Sequence, residues 1–478
     1  MTLRAALVCL LLASTSPLAL AGEATPDGAK HLTDVFQSYL GKVPGVVSVV
    51  PAGDAYTLTL DFAPLFARSP RKDMTAALTP LVMKLADQGG GKWLVTQDQP
   101  VNVSISVPEA LDLKVNVQQY KSSGIFDEAI ASFESSTSDV TGMTLDETVH
   151  EAGQMTSVAY AIQSMHNEIK SSAAASGVDT VVHSTGSGLS EVMQIPSGPG
   201  GPPVGITLNA QSFVQDVEGK GFMMKPILDL LAFAIEHPDP EYAKANQAEI
   251  KTLLTAALPV FNSLNGTFSM KQLTVMTPIG PVKIAEAGGT VAMNGIISDG
   301  LFGESIKVTG LELPPGIVPP FAASLTPKAL TFDFKVSDFN LDAPARMIID
   351  KMDLSKDKPL SPEMDQQLLQ ALLPKGAVTM TLNPSLIESD AATLSGEGAM
   401  TAGPMQPPAG SALVKLKGFD AIMQAIQSAP PEMGLQQGVA MLIAAKGMAK
   451  PEGDLLTWKV ESTPNGRVTI NGIDPGKM

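Results

Sequence analysis

The sequence predicts an α+β protein: extended antiparallel β-sheets with helix pairs packed on a face or an end. Two observations predict this class. Apolar residues alternate with polar ones over many segments, the period-two pattern of strands with one face on a core and one in water. Between runs of such segments lie paired stretches of helical spacing, bounded by proline and glycine. One-sided sheets on this scale must cover their apolar face with helices, a second sheet or a ligand.

In chain order, the first segment is a leader. Arg4 is its only charge, an apolar run follows over 5–12, and Ala19-Leu20-Ala21 closes it as a small-x-small triplet. Residues 1–21 are therefore expected to form a secretory signal peptide cut after Ala21. The expected location is the periplasm. The single cysteine, Cys9, lies inside this leader. A lipobox would place the cysteine at the end of the apolar run, whereas Ala6-Leu7-Val8-Cys9 sits in its middle. With Cys9 removed the mature chain has no thiol, so no disulfide stabilises it in an oxidising compartment. No later segment reads as a transmembrane helix after cleavage. The best apolar window, 227–235, carries Asp229 and is far below the ~20 residues a span needs.

Residues 22–195 form an N-terminal β-rich region. Tyr56, Leu58, Leu60 and Phe62 alternate with polar partners, as do Val101, Val103, Ile105 and Val107, then Leu111, Leu113, Val115 and Val117. Pro108-Glu109 reads as the hairpin turn between the last two runs. Further strands are expected at 141–149, 155–162, 178–183 and 205–210. Residues 196–203, Pro-Ser-Gly-Pro-Gly-Gly-Pro-Pro, exclude helix and sheet. They are either a domain boundary or a long hairpin loop.

Residues 204–478 form a C-terminal α+β region in which helix pairs and β-meanders recur. Helices are expected at 226–236 and 240–258, the second ended by Pro259. Strands follow over 266–310, with Thr277-Pro278-Ile279-Gly280 as a turn. A second block places helices at 344–351 and 361–373, Ser361 capping before Pro362, with strands at 377–387, 393–401 and 412–417. A third places helices at 420–428 and 435–447 before strands at 455–461 and 467–471. The blocks begin near Lys225, Ala343 and Phe419 and differ in length, so there is no fixed-period solenoid.

Bulk composition narrows the function classes. The chain has 478 residues, 44% hydrophobic and 17% charged, a globular composition with room for two domains or one large β-rich body. Net charge is −16, and loss of Arg4 with the leader leaves 31 basic against 48 acidic residues, or −17. Such a field repels phosphate backbones and anionic lipid surfaces, so no nucleic-acid partner is expected. The 23 methionines equal all aromatic residues combined. They are either core filler or the lining of an adaptable apolar groove.

Catalytic motifs are not found. The histidines His31, His150, His166, His183 and His237 show no i, i+4 pair, and His150-Glu151 does not open an H-E-x-x-H motif. Ser184-Thr185-Gly186-Ser187-Gly188 has threonine where a nucleophile elbow needs glycine, and is expected to be a flexible loop. Gly89-Gly90-Gly91-Lys92 lacks the first glycine of a phosphate loop, and Trp93 replaces its Ser or Thr. The acidic pairs Asp127-Glu128, Asp146-Glu147 and Asp239/Glu241 carry little information in an acidic chain. Trp93 and Trp458 are too few for sugar platforms, and Trp458 alternates with Leu456 and Val460 as sheet core. The expectation is no catalytic, cofactor-binding or metal-ligating residue, and no cofactor.

The carboxy-terminal segments Gly418-Phe419-Asp420-Ala421-Ile422-Met423, Met448-Ala449-Lys450-Pro451-Glu452-Gly453-Asp454, Thr457-Trp458-Lys459-Val460-Glu461 and Val468-Thr469-Ile470-Asn471-Gly472 resemble an exported bacterial family, domain of unknown function 2125. More loosely, Gly266-Thr267-Phe268 and 273–280 are similar to domain of unknown function 945. The resemblance implies an envelope protein of a Gram-negative cell and supplies no catalytic motif.

The leading functional expectation is a non-enzymatic envelope protein that binds an apolar ligand, such as lipid, along a sheet-lined groove. The alternative is a structural or assembly protein docking onto another envelope protein. A third reading is a periplasmic hydrolase with a site dispersed over loops.

Overall fold

A computed structural model describes residues 23–68, 71, 73–151, 154–196, 203–356, 358–404 and 406–475. The leader expected over 1–21 lies outside these residues, as does most of the Pro/Gly-rich stretch at 196–203.

The chain opens with helix α1 (Pro26–Leu40), which the sequence reading did not anticipate. Thr25 caps it, accepting from the Gly28 amide at 3.1 Å, and Pro26 occupies the first helical position. Strands β1 (Val47–Ala52) and β2 (Ala55–Leu60) form a hairpin, followed by a short helix α2 (Ala63–Ala67), β3 (Thr75–Leu78) and β4 (Leu81–Gly89). Six long strands come next: β5 (Lys92–Val107), β6 (Leu111–Asp127), β7 (Ser132–Glu151), β8 (Gln154–Ala173), β9 (Val178–Ile195) and β10 (Val204–Phe222). Helices α3 (Met224–Glu236), α4 (Pro240–Ala245) and α5 (Gln247–Ala257) interrupt the meander. It resumes with β11 (Ser263–Thr277), β12 (Gly280–Asn294), β13 (Gly300–Glu312) and β14 (Ala329–Phe339), then α6 (Asp342–Lys351) and α7 (Met364–Leu372). After β15 (Val378–Glu388), β16 (Thr393–Gly403) and β17 (Gln406–Lys417) come α8 (Phe419–Ser428) and α9 (Val439–Met448). The chain closes with β18 (Lys450–Glu452), β19 (Leu455–Ser462) and β20 (Val468–Ile470).

All these strands belong to one antiparallel sheet. From β4 to β17 each strand pairs with the next; β3 flanks β5, and β19 pairs with β17 while β18 and β20 sit on its other side. The strands before and after the Pro/Gly-rich stretch, β9 and β10, are paired neighbours, with Val204 opposite Ile195.

Strand parity decides where the helices go. Four strands, β11 to β14, separate α5 from α6, so the chain returns to the end it left. Three strands, β15 to β17, separate α7 from α8, so α8 and α9 lie at the opposite end. Helices α1, α3, α5, α6 and α7 touch in sequence along the first end. At the other end α8 packs against the 3-10 turn Pro320–Leu325.

The sheet is open. The chain exposes 27370 Å², where a compact monomer of 49.8 kDa exposes about 17,000 Å². Its main core lies where α1 covers the first strands: Leu32, Tyr39 and Val46 pack on Leu58, Leu85, Trp93 and Phe126. Phe36 stacks on Phe126 at 5.7 Å, and Tyr56 meets Trp93 edge-on at 5.7 Å.

Three local expectations are corrected. Ser184–Gly188 is not a loop but the middle of β9, with Ser184 opposite Gln215 and Ser187 opposite Ser164. Its small residues fit beneath larger neighbours; a Cβ on Gly186 would meet the Phe213 ring at 2.1 Å. The single helix expected over 240–258 breaks at Asn246, whose φ −115° and ψ 35° leave the helical region. The helix expected from Leu435 begins as a 3-10 turn and becomes α-helical only at Val439. Among the described residues no helix is long and apolar enough to cross a membrane.

Candidate apolar binding face

A crease crosses the long strands. Gly142 of β7, Gly188 of β9 and Gly310 of β13 hold φ of 62°, 63° and 64°, and Gln272 of β11 holds 52°. Residues lying next to them in the ladder are Gln118, Gln163, Gln211 and Ala285, on the intervening strands β6, β8, β10 and β12. A left-handed residue inside a strand interrupts the two-residue alternation, as in a bulge. Here the interruption falls at the same level in strand after strand. Adjacent residues such as Gln118 and Gln119, Gln163 and Ser164, and Lys271 and Gln272 are then both exposed on the convex side.

On the concave side the apolar residues flanking the crease are three apart instead of two. Ile162 and Met165 on β8, Ala210 and Phe213 on β10, Leu273 and Met270 on β11, and Ile284 and Ala287 on β12 join one cluster. Ile162, Leu189, Ala210 and Leu273 form its buried centre. The three-residue spacing was the one signal in the sequence, since it breaks the strand alternation, but its alignment from strand to strand emerges only with the register.

From that cluster an apolar row runs across the sheet, one residue per strand. Tyr120 stands opposite Val140, Val140 opposite Met165, and Met165 opposite Gly186. Phe213 stands opposite Gly186, Met270 opposite Phe213, and Ala287 opposite Met270. The row continues through Val308, Leu330 and Ile387. It ends through Leu394 and Leu416 at Leu456. At about 4.8 Å per strand, its thirteen strands span about 58 Å.

Toward β19 the row itself is partly covered, since Ile422 of α8 and Leu325 line one cleft with Ile387, Leu394 and Leu416, while the same face is open further along these strands. A cleft of 390 Å³ is lined by Phe332, Phe334, Met380, Leu382, Met400 and Val460, among others. Phe332 is 44% exposed and Leu394 41%. The opposite face of the same strands carries Thr331, Asp333, Lys335, Thr379, Glu397 and Lys415. Trp458 lies on the apolar face as its alternation implied, and its Nε1 donates to the Ala445 carbonyl at 2.7 Å.

The histidines do not converge. His166 Nδ1 lies 2.7 Å from Asp139 and its Nε2 3.6 Å from Glu168. The hydrogen bond to Asp139 holds the imidazole pKa above its usual value. His183 pairs with Asp216 at 2.6 Å, His150 with Asp112 at 3.3 Å, and His31 with Glu128 at 3.0 Å. His237 stacks on Tyr242 at 3.8 Å. Ser187 meets Ser164 at 2.8 Å. Gly89–Gly91 forms the β4–β5 turn, with positive φ at all three glycines. Asp127 holds the Ala129 amide at 2.8 Å, and Asp239 caps α4. Asp146 and Glu147 sit on β7 on opposite faces. Among the described residues no group of three or more His, Cys, Asp or Glu is placed to hold a metal ion. On the concave face Tyr160 has its pKa raised, first by burial and then by Glu191 opposite it.

No protein-family model, curated protein or solved structure matches the chain.

Proposed function

We propose that this is an exported, non-enzymatic envelope protein that binds an apolar ligand, in the concrete case lipid, along the concave face of its sheet. The observation that carries the reading is the open apolar cleft around Phe332, Phe334, Met380 and Met400, on the same face as the row from Tyr120 to Leu456. Burial is worth about 25 cal/mol per Å² of apolar surface, and contiguous bare apolar area of this extent is typical of a binding surface. A cleft walled by Phe332, Phe334, Met380 and Met400 suits flexible chains, since methionine adapts to irregular shapes. In this reading the α3–α5, α6–α7 and α8–α9 segments cap the two ends of the sheet. The periplasmic location rests on the leader-like stretch at 1–21 and on the resemblance of the carboxy-terminal segments. Gentle purification followed by native mass spectrometry and lipid extraction tests the reading: co-purifying lipid is expected, and a clean apo mass without lipid enrichment overturns it.

A second reading, an assembly protein docking onto another envelope protein, is supported by the exposed apolar side chains of α9. Met441 is 74% exposed and Ile443 57%. Crosslinking in cells separates the two, because a stoichiometric protein partner favours docking.

A further inference from the structure

The concave face is not apolar throughout. Two residues along the strands from the apolar row, toward the end where α1 lies, runs a line of uncharged polar side chains in register. Gln97 of β5 is opposite Ser122 of β6, and Ser122 is opposite Ser138 of β7. Ser138 is opposite Asn167 of β8, Asn167 opposite Ser184 of β9, and Ser184 opposite Gln215 of β10. The line then turns apolar at Phe268 of β11.

Rows without charge flank this line on both sides. One holds Tyr120, Val140, Met165 and Phe213; the other holds Val95, Ile169, Val182 and Val217. The charged residues of these strands at this level, among them Asp139, His166, Glu168 and Asp216, lie on the convex face. Two members of the polar line are more than nine-tenths buried, Gln97 at 8% exposure and Ser184 at 7%. Asn167 Nδ2 donates to Ser138 Oγ at 3.1 Å. The Gln97 Nε2, which faces the same side as Trp93 and Val95, has no hydrogen-bond partner.

A buried amide donor left unpaired costs about 1–3 kcal/mol, and buried polar groups are nearly always satisfied. A line of half-buried donors and acceptors inside an apolar face is therefore poorly explained by packing alone. A binding site that is mostly apolar with a few placed polar groups is the usual form for orienting a ligand. The absence of charge selects the chemistry: such groups match ester, amide and hydroxyl functions and offer nothing to neutralise a phosphate or carboxylate.

We infer that the line from Gln97 to Gln215 is a recognition stripe for the neutral polar linkage of an amphiphile, an acyl ester or amide, whose hydrocarbon lies on the adjoining apolar row. This rests on the lipid-binding reading above and specifies the ligand class for the same face. The ligand lies across the strands, its polar linkage over β5 to β10 and its chain running toward β19.

The test uses the full-length mature protein loaded with a neutral fluorescent probe, N-phenyl-1-naphthylamine. Displacement is measured with hexadecane, with 1-monopalmitoylglycerol and with palmitate. Wild type is expected to bind the monoacylglycerol about tenfold more tightly than hexadecane, the equivalent of one or two net hydrogen bonds. The triple variant Ser138→Ala, Asn167→Leu, Ser184→Ala is expected to bind the two equally, with hexadecane affinity unchanged, which also controls for folding. Gln215→Leu, at an exposed position that cannot disturb the core, is expected to narrow the preference in the same direction. Equal affinity for both ligands in wild type, a preference for palmitate over the ester, or an ester preference that survives both sets of substitutions overturns the stripe while leaving lipid binding intact. Failure of every ligand to displace the probe from wild type overturns the lipid-binding reading itself.

Discussion

Gln163 of β8 lies against Gly188 of β9 so closely that a Cβ on the glycine would come within 2.7 Å of the Gln163 Cβ. Gly188 also holds φ 63°, a conformation side chains disfavour. The two constraints act together at the crease. Gly188→Ala is expected to destabilise the protein by about 1–3 kcal/mol, read from the urea midpoint. Gly53→Ala has the same sign of φ, 72°, but meets nothing within 4 Å. It should therefore show only the backbone share, about 1–2 kcal/mol. Equal losses at the two sites would mean that the contact with Gln163 contributes nothing.

Glu128 ties α1 to the sheet core. Its carboxylate accepts from Trp93 Nε1 at 2.6 Å and lies 3.0 Å from His31 Nε2. Glu128→Leu leaves the indole N–H without an acceptor in a part-buried site, at an expected cost of about 1–3 kcal/mol. Glu128→Gln keeps an acceptor oxygen and should cost less. Denaturant titration followed by tryptophan fluorescence distinguishes them, since Trp93 reports the site directly.

On the convex face the His166 pKa is raised above the 6.5 of a free imidazole, chiefly by the hydrogen bond to Asp139. A raised folded-state value means that the pair contributes its full stability below the unfolded pKa. That contribution fades as pH rises through the folded pKa. In Asp139→Asn the His166 ring should titrate at lower pH, and the stability change over that window should flatten. An NMR titration of the His166 ring protons in both proteins checks this; an unmoved titration midpoint would show that Asp139 does not hold the proton.

The bare cleft gives a functional prediction. Phe332 and Met400 are 44% and 38% exposed, so the double variant Phe332→Lys, Met400→Lys should shift stability by no more than about 0.5 kcal/mol per site. It places two charges in the apolar cleft. The amount of lipid recovered by extraction should fall several-fold while the thermal transition stays within a few degrees. Unchanged lipid recovery would move the ligand away from this part of the sheet.

The period-two stretches Val101 to Val107 and Leu111 to Val117 were legible because alternation is a local property. The turn at Pro108-Glu109 was legible too, and Glu109 holds φ 58°. Helix α1 was written as plainly, with Thr25 before Pro26 and apolar Ala29, Leu32, Phe36 and Tyr39 at helical spacing. The apolar row and the polar line were not legible. Tyr120 and Leu456 are neighbours of one row only through the register of every strand between them, and register is set by pairing partners distant in sequence. The stretch Ser184–Gly188 misled for the same reason: five small residues look loose until β8 and β10 are placed on either side.

Each long strand makes its substantial contacts with its two neighbours in the sheet. The fold is thus a linear stack whose length is not fixed by closure. Inserting or deleting one hairpin, such as β11–β12, would change the length of the sheet by about 10 Å and leave every helix at the end it now occupies. A single added strand would reverse the chain and carry all later helices to the other end. Ligand length and helix placement can therefore vary independently in this architecture, so long as change comes in pairs of strands.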